Sequence, residues 1–209
     1  MSDYEFVTLE GIEGVGKSTA IDIVKKNLQS KGRQVVITRE PGGTRLGEKI
    51  REALLSKNNG DILPIAELFL LLAARAQHLD EVVAPALRLG KCVICDRFFD
   101  ATFAYQGAGR GIDNSVIETA TKLISPFYVP TLTILLDAPS EVGLKRIKSR
   151  SEIDRFEEQS NIFFDRIRAA YLDRARNEPQ RFSIIDATQP LPMVQRDIET
   201  ILGQKFTSL

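Results

Sequence analysis

Gly11-Ile12-Glu13-Gly14-Val15-Gly16-Lys17-Ser18 is the stretch on which the fold turns. It fits the pattern G-x-x-x-x-G-K-[ST]. The β-rich run Phe6-Val7-Thr8-Leu9 precedes it, and Ile21, Val24 and Leu28 follow at helical spacing. Strand, glycine-rich loop and helix in that order make a phosphate cradle. Glycines let successive backbone N–H groups turn inward around a phosphate chain, the helix N-terminus adds partial positive charge, and Lys17 neutralises the outer phosphate oxygens. Ser18 fills the Ser/Thr position of the pattern and is the candidate magnesium ligand.

Four further β-rich runs, Val35-Val36-Ile37-Thr38, Cys92-Val93-Ile94-Cys95, Leu132-Thr133-Ile134-Leu135-Leu136 and Ser183-Ile184-Ile185, are separated by longer segments of helical spacing. That alternation predicts an α/β fold built on a parallel sheet. Because the runs are near-continuously apolar, helices should cover both faces, giving three layers around a sheet of about five strands. The segment from about Gly47 to Leu89 is too long for one crossover helix and should hold two or three. Within it, Leu68 to Ala74 reads as a buried helix. Gly32 is expected to terminate the first helix, and Pro139 to sit in the first turn of a later one. With 209 residues and no repeat, low-complexity stretch or linker, the chain is expected to form a single domain over residues 1–209.

Lys+Arg and Asp+Glu both number 28. No overall field therefore draws the molecule onto nucleic acid or an anionic membrane, and any phosphate binding must be local. The acidic start, Met1-Ser2-Asp3-Tyr4-Glu5, lacks the basic and apolar regions of a secretory signal, so a cytoplasmic protein is expected. The Leu68–Ala74 run is far short of the roughly 18 apolar residues that a membrane span needs. Cys92 and Cys95 form a C-x-x-C, but on a strand they face opposite sides, roughly 10 Å apart, too far for a disulfide. His78 is the only histidine and no second cysteine pair exists, so no zinc site is expected.

A phosphate cradle specifies a nucleotide, not a reaction. A regulatory GTPase would need an N-K-x-D guanine reader, and the nearest stretch, Thr121-Lys122-Leu123-Ile124, lacks the aspartate. A nucleotide-binding regulator without turnover remains open. A small-molecule kinase needs a second anion site and a basic lid that shields the transferring phosphoryl group from water. Asp96-Arg97, after the third strand run, and Arg39-Glu40-Pro41-Gly42-Gly43-Thr44, after the second, lie where ligands collect in open α/β sheets. The alternative reading of Asp96-Arg97 is a surface ion pair closing a strand. The lid candidate, at about residues 143–157, is Lys145-Arg146-Ile147-Lys148-Ser149-Arg150 followed by Asp154-Arg155-Phe156-Glu157. Its positive charge would stabilise a phosphoryl transition state, although spacing alone favours a solvated helix face.

Taken together these residues resemble the thymidylate kinase family. The resemblance runs from Phe6 to about Gln189. It rests on Glu10-Gly-Ile-Glu13-Gly-Val-Gly-Lys-Ser18, Arg39-Glu-Pro-Gly-Gly-Thr44, Ala73-Ala-Arg75, Asp96-Arg97, Ala104-Tyr-Gln-Gly107 with Gly109-Arg-Gly111, and Asp154-Arg-Phe-Glu157. The resemblance implies a P-loop kinase fold that phosphorylates dTMP to dTDP with ATP and Mg2+, usually as a homodimer, with no nucleic-acid or membrane partner.

By the same resemblance, the catalytic residues are Lys17, Arg97, Glu13 and Arg150. The last is the lid arginine of the subgroup that carries an acidic residue inside its P-loop. ATP would contact Gly11, Ile12, Glu13, Gly14, Val15, Gly16, Lys17, Ser18 and Thr19, with Arg146 and Ala187. The dTMP contacts implied are Glu10, Arg39, Pro41, Leu71, Arg75, Arg97, Thr102, Tyr105, Gln106 and Phe156. Arg75 would reach the thymine ring and Tyr105 would crowd the 2′ position, although Tyr105 and Phe156 also read as core aromatics. Ser18 and Asp96 would hold magnesium, and Glu40-Pro41 is an implied cis peptide. The sequence departs from the family in having Ala101 where serine is usual and Leu71 where an aromatic residue often stacks on thymine. Phe69, two residues away, should face elsewhere on a helix. A kinase for another nucleoside monophosphate is the alternative within the same class.

Overall fold

A computed structural model describes residues 4–124, 127–147, 155–157 and 159–206. Five parallel strands, β1 (Phe6–Glu10), β2 (Val35–Arg39), β3 (Cys92–Asp96), β4 (Leu132–Asp137) and β5 (Phe182–Asp186), form one sheet in the order β2-β3-β1-β4-β5. All five residues of β1 are buried. The outer strands leave Ile37 and Ile184 exposed, as edge strands with one free flank do.

Strand alternation distributes side chains to two cores, one on each face. Val7, Leu9, Cys92 and Ile94 join Val24 and Leu28 of α1 (Lys17–Ser30), Ile167 of α8 (Asn161–Asn177) and Ile198 and Leu202 of α9 (Leu191–Lys205). Phe6, Val93 and Cys95 face the other way, toward Leu68 and Leu72 of α3 (Pro64–His78) and Val83 beyond it. Cys92 and Cys95 are therefore free thiols in separate cores, as their strand register requires.

The long second crossover holds α2 (Arg45–Leu55) and α3, which continues through a π-helical segment, Leu79–Val83, into α4 (Ala84–Arg88). Pro85 lacks the N–H that an unbroken α-helix would use there, and the widened turn lies immediately before it. Leu68, Leu72 and Ala74 are buried, but Phe69 is 64% exposed, so the apolar run presents one face outward rather than being buried throughout. Gly32, at φ +80°, follows the end of α1 as expected. Pro139 stands one residue before α7 (Ser140–Ile147) instead of inside its first turn, where its carbonyl accepts from Val142 N.

This register builds the site. Asp96 pairs with Leu9 on one side and Arg39 on the other, so the carboxyl ends of β1, β2 and β3 open into one cleft. No helix among the described residues is long and apolar enough to cross a membrane.

Candidate active site

α1 begins at Lys17 directly after Gly16, which has φ +95° and makes no side-chain cap. The first-turn N–H groups are thereby presented to an anion. The loop is pressed against α7. A Cβ on Gly14 would lie 2.2 Å from the Gly143 carbonyl oxygen, so only glycine allows this approach. Lys17 Nζ donates to the carbonyls of Gly11 (3.1 Å) and Ile12 (2.8 Å), which leaves one of its three donors for a phosphate oxygen. Burial, reinforced by the like charge of Arg97, pulls its ammonium down from 10.5 to about 8. A phosphate placed beside it would favour the charged form again.

Beside the loop lies a cavity of about 280 Å3. Its walls bring together Glu13, Gly14, Gly16, Lys17, Ser18, Thr19, Pro41, Leu71, Arg75, Asp96, Arg97, Thr102, Tyr105, Gln106 and Phe156, all singled out from the sequence. Arg97 has a left-handed backbone, φ +65°, strained for a side chain of this kind, and it is held firmly. Its Nη1 donates to Gly11 O (2.7 Å) and to Tyr171 Oη (3.2 Å), its Nη2 donates to Glu13 Oε1 (3.0 Å), and its guanidinium lies 4.9 Å from the Tyr105 ring centroid. Tyr105 Oη donates to Glu13 Oε2 (2.7 Å). The loop carboxylate is thus the common anchor of the arginine and the tyrosine.

On the opposite wall, Arg75 Nε donates to Glu40 Oε2 (2.6 Å) and Nη2 donates to Thr102 Oγ1 (2.9 Å). Its Nη1 is buried with no protein partner. Leu71 lines the cavity where the family often has an aromatic residue, and Ala101 lines it as well, while Phe69 points away into solvent. The Glu40–Pro41 peptide is cis.

Among the expected residues, Gly11, Ile12 and Val15 belong to the loop but not to the cavity wall, and Arg39, Ala187, Arg146 and Glu10 lie elsewhere. Thr38 and Glu40 are turned inward, so Arg39 between them is sent to the other side, where its half-exposed side chain donates from Nη2 to Glu48. Arg51 of α2 lines the cavity instead and donates from Nη1 to Pro41 O (3.1 Å). Ala187 is likewise outside the cavity, with its carbonyl accepting from Arg146 Nη2 (3.2 Å). Arg146 Nη1 also donates to Gly14 O (3.3 Å), so α7 straps the turn after β5 to the phosphate loop. Glu10 is fully buried behind the loop. Its Oε1 accepts from Phe98 N and its Oε2 from Tyr171 Oη, both at 2.7 Å, which braces the Arg97 turn rather than facing a ligand.

Burial, with the charge of Asp100 adding and that of Arg97 opposing, pushes the Glu10 carboxyl up from 4.5 to about 8. Between those values the folded chain holds a proton that the unfolded chain releases, so this group's contribution to stability is present below about 4.5 and is lost as pH rises toward 8. Glu10→Gln, which cannot titrate, should be less stable than the parent at pH 5 and gain on it at pH 8. Unfolding midpoints at both pH values measure this, and parallel shifts would refute it.

Arg150, with residues 148–154, lies outside the described residues. Arg155 is described and anchored: its guanidinium donates to Glu67, and its Nε donates to Leu54 O (2.9 Å). Glu67 is fully buried and also accepts from Gln106 Nε2 (2.8 Å) and from Arg110. Phe156 lies in T-shaped contact with Tyr105 and beneath Arg155 and Arg110. Sequence reasoning missed Arg51, Glu67 and Tyr171, none of which lies in a recognisable motif. A charged residue inside the apolar stretch around Leu68 was the one available signal for Glu67.

The site suits magnesium. Asp96 Oδ1 is buried without a partner in the cavity wall that also holds Ser18, and a carboxylate with a hydroxyl is the oxygen set that this ion takes.

The family model for thymidylate kinase matches residues 9–198. The chain is 52% identical over 200 residues to a thymidylate kinase of Methylococcus capsulatus strain Bath, covering 96% of this chain and 95% of that one. It is 51% identical over 197 residues to that of Pseudomonas fluorescens strain SBW25, covering 94% of each. The crystal structure of thymidylate kinase from Ehrlichia chaffeensis superimposes with a TM-score of 0.76 at 32% identity, covering 95% of this chain and 97% of that one.

Proposed function

This chain belongs to the thymidylate kinase family and phosphorylates dTMP to dTDP with ATP and Mg2+, and on that premise we propose how its own residues divide the work. The loop from Gly11 to Thr19 holds the ATP phosphates, with Lys17 on the oxygens nearest the transfer. The cavity takes dTMP: Arg97 and Arg51 face its phosphate, Tyr105 crowds the 2′ position, and Leu71, Pro41 and Phe156 pack the sugar and base. Ser18 and Asp96 hold magnesium, which neutralises phosphate charge when bound. Transfer is in line, with positioning and charge neutralisation supplying most of the rate. One P-loop kinase domain in the cytoplasm carries the activity, as a homodimer joined across the exposed Ile65 and Phe69 stripe of α3.

The observation that carries the base assignment is the unpartnered Arg75 Nη1. Thymine offers it a carbonyl acceptor at O4, whereas cytosine presents an amino donor there and sets two donors against each other. The kcat/KM for dTMP should therefore exceed that for dCMP by at least about a hundredfold. Discrimination against dUMP, which lacks only a methyl, should be about 1–3 kcal/mol. Equal kcat/KM for dTMP and dCMP in an ADP-release assay would exclude the contact.

A further inference from the structure

We propose that His78 is a positioning residue that aims Arg75 at the base. The proposal rests on the reading of Arg75 as the base reader and extends it to a residue outside the cavity wall. His78 is fully buried and sits three residues after Arg75 on α3, so both side chains leave the same face of the helix. They share one carboxylate. Glu40 Oε2 accepts from Arg75 Nε (2.6 Å), and Glu40 Oε1 accepts from His78 Nδ1 (2.8 Å).

A carboxylate only accepts, so Nδ1 carries the proton, and in the neutral ring Nε2 accepts from the Thr38 hydroxyl at 2.6 Å. A carboxylate held by a single contact can pivot about it. The second bond, at the other oxygen, stops the pivot and fixes the plane of the guanidinium fork. Thr102 Oγ1 takes Nη2, and the Phe98 ring lies 5.3 Å from the guanidinium carbon, so Nη1 is left with one direction in which to donate. The ring also supports the loop beyond Pro41. A Cβ on Gly43 would lie 2.7 Å from His78 Cδ2 and 2.6 Å from Thr38 Oγ1, which means that this loop closes directly on the Thr38–His78 pair.

The test compares steady-state constants for dTMP, dCMP and ATP in His78→Phe, His78→Asn, Thr38→Val and Arg75→Ala. His78→Phe keeps a ring and removes both nitrogens. It should lower the dTMP-to-dCMP ratio of kcat/KM by about tenfold, through KM for dTMP, with KM for ATP unchanged and kcat within about threefold. His78→Asn, whose Nδ2 overlays the ring Nδ1, should restore most of the ratio. An unchanged ratio in folded His78→Phe overturns the proposal, as does an equal loss in kcat and in KM for ATP, which would mark a general structural defect. If His78→Phe does not fold, Thr38→Val decides, because it keeps the shape and removes only the hydroxyl. A fall of a few fold supports the relay, and no change overturns it. Arg75→Ala separates the two levels. If it leaves the ratio intact, the base reading itself fails. If it collapses the ratio while His78→Phe does not, only the positioning role fails.

Discussion

Lys17→Ala should lower turnover by at least about a hundredfold while leaving the melting temperature within a few degrees of the parent. Lys17 is the cation that the loop itself places at the outer phosphates, and its Nζ is already fixed by the Gly11 and Ile12 carbonyls rather than swinging in solvent. A preorganised donor aimed at developing charge is worth about 10²–10³ in turnover when removed. The fold should survive because α1 is held by Ala20, Val24 and Leu28 in the core, none of which depends on the lysine. Single-turnover measurement with saturating ATP and dTMP checks the step directly. Retention of more than about a tenth of parental turnover would overturn the assignment of Lys17.

Arg150→Ala should lower kcat by at least about a hundredfold with little change in KM for dTMP, because an arginine finger acts mainly on the transition state. The phosphate loop contributes Glu13, and that carboxylate is bonded to Arg97 and Tyr105, so negative charge growing on the transferred group needs a further cation. Three lid arginines were candidates. Arg155 is committed to Glu67 and the Leu54 carbonyl, a structural anchor at the lid's base. Arg146 spans the Gly14 and Ala187 carbonyls, so Arg146→Ala should act chiefly on KM for ATP. If Arg146→Ala or Arg155→Ala slows transfer as Arg150→Ala is expected to, the lid role stands and the residue assignment fails. If none of the three slows it, the lid is not catalytic.

Local rules read well wherever the chain's own neighbours decide the structure. The strands at Phe6, Val35, Cys92, Leu132 and Phe182 followed from apolar runs between helical stretches, and Gly32 from the need for a left-handed residue after a helix. Pro139 came out one residue early, because helix boundaries depend on capping geometry that spacing does not specify. The Leu68–Ala74 run was legible as a helix but not as a half-exposed one, since composition cannot tell a core face from a face open to another surface.

The phosphate cradle, the parallel sheet and the gathering of the loop with the Arg39 and Asp96 strand ends at the carboxyl end of the sheet are legible in the chain alone, because each depends on residues adjacent in the chain or on strand ends that topology must gather. Which side chains enter the cavity is set by packing between distant elements. Arg39 and Arg51 are both cations near the same turn, and strand alternation turns the first away while α2 brings the second in. The Glu40 bonds to Arg75 and His78 span 35 and 38 positions of sequence, and the bond from Tyr171 to Glu10 spans 161. A side chain's partner across such a distance is set by the face from which it leaves its helix or strand. A shift of one residue would send it to the opposite face of a strand or about 100° round a helix, and no local pattern records that choice.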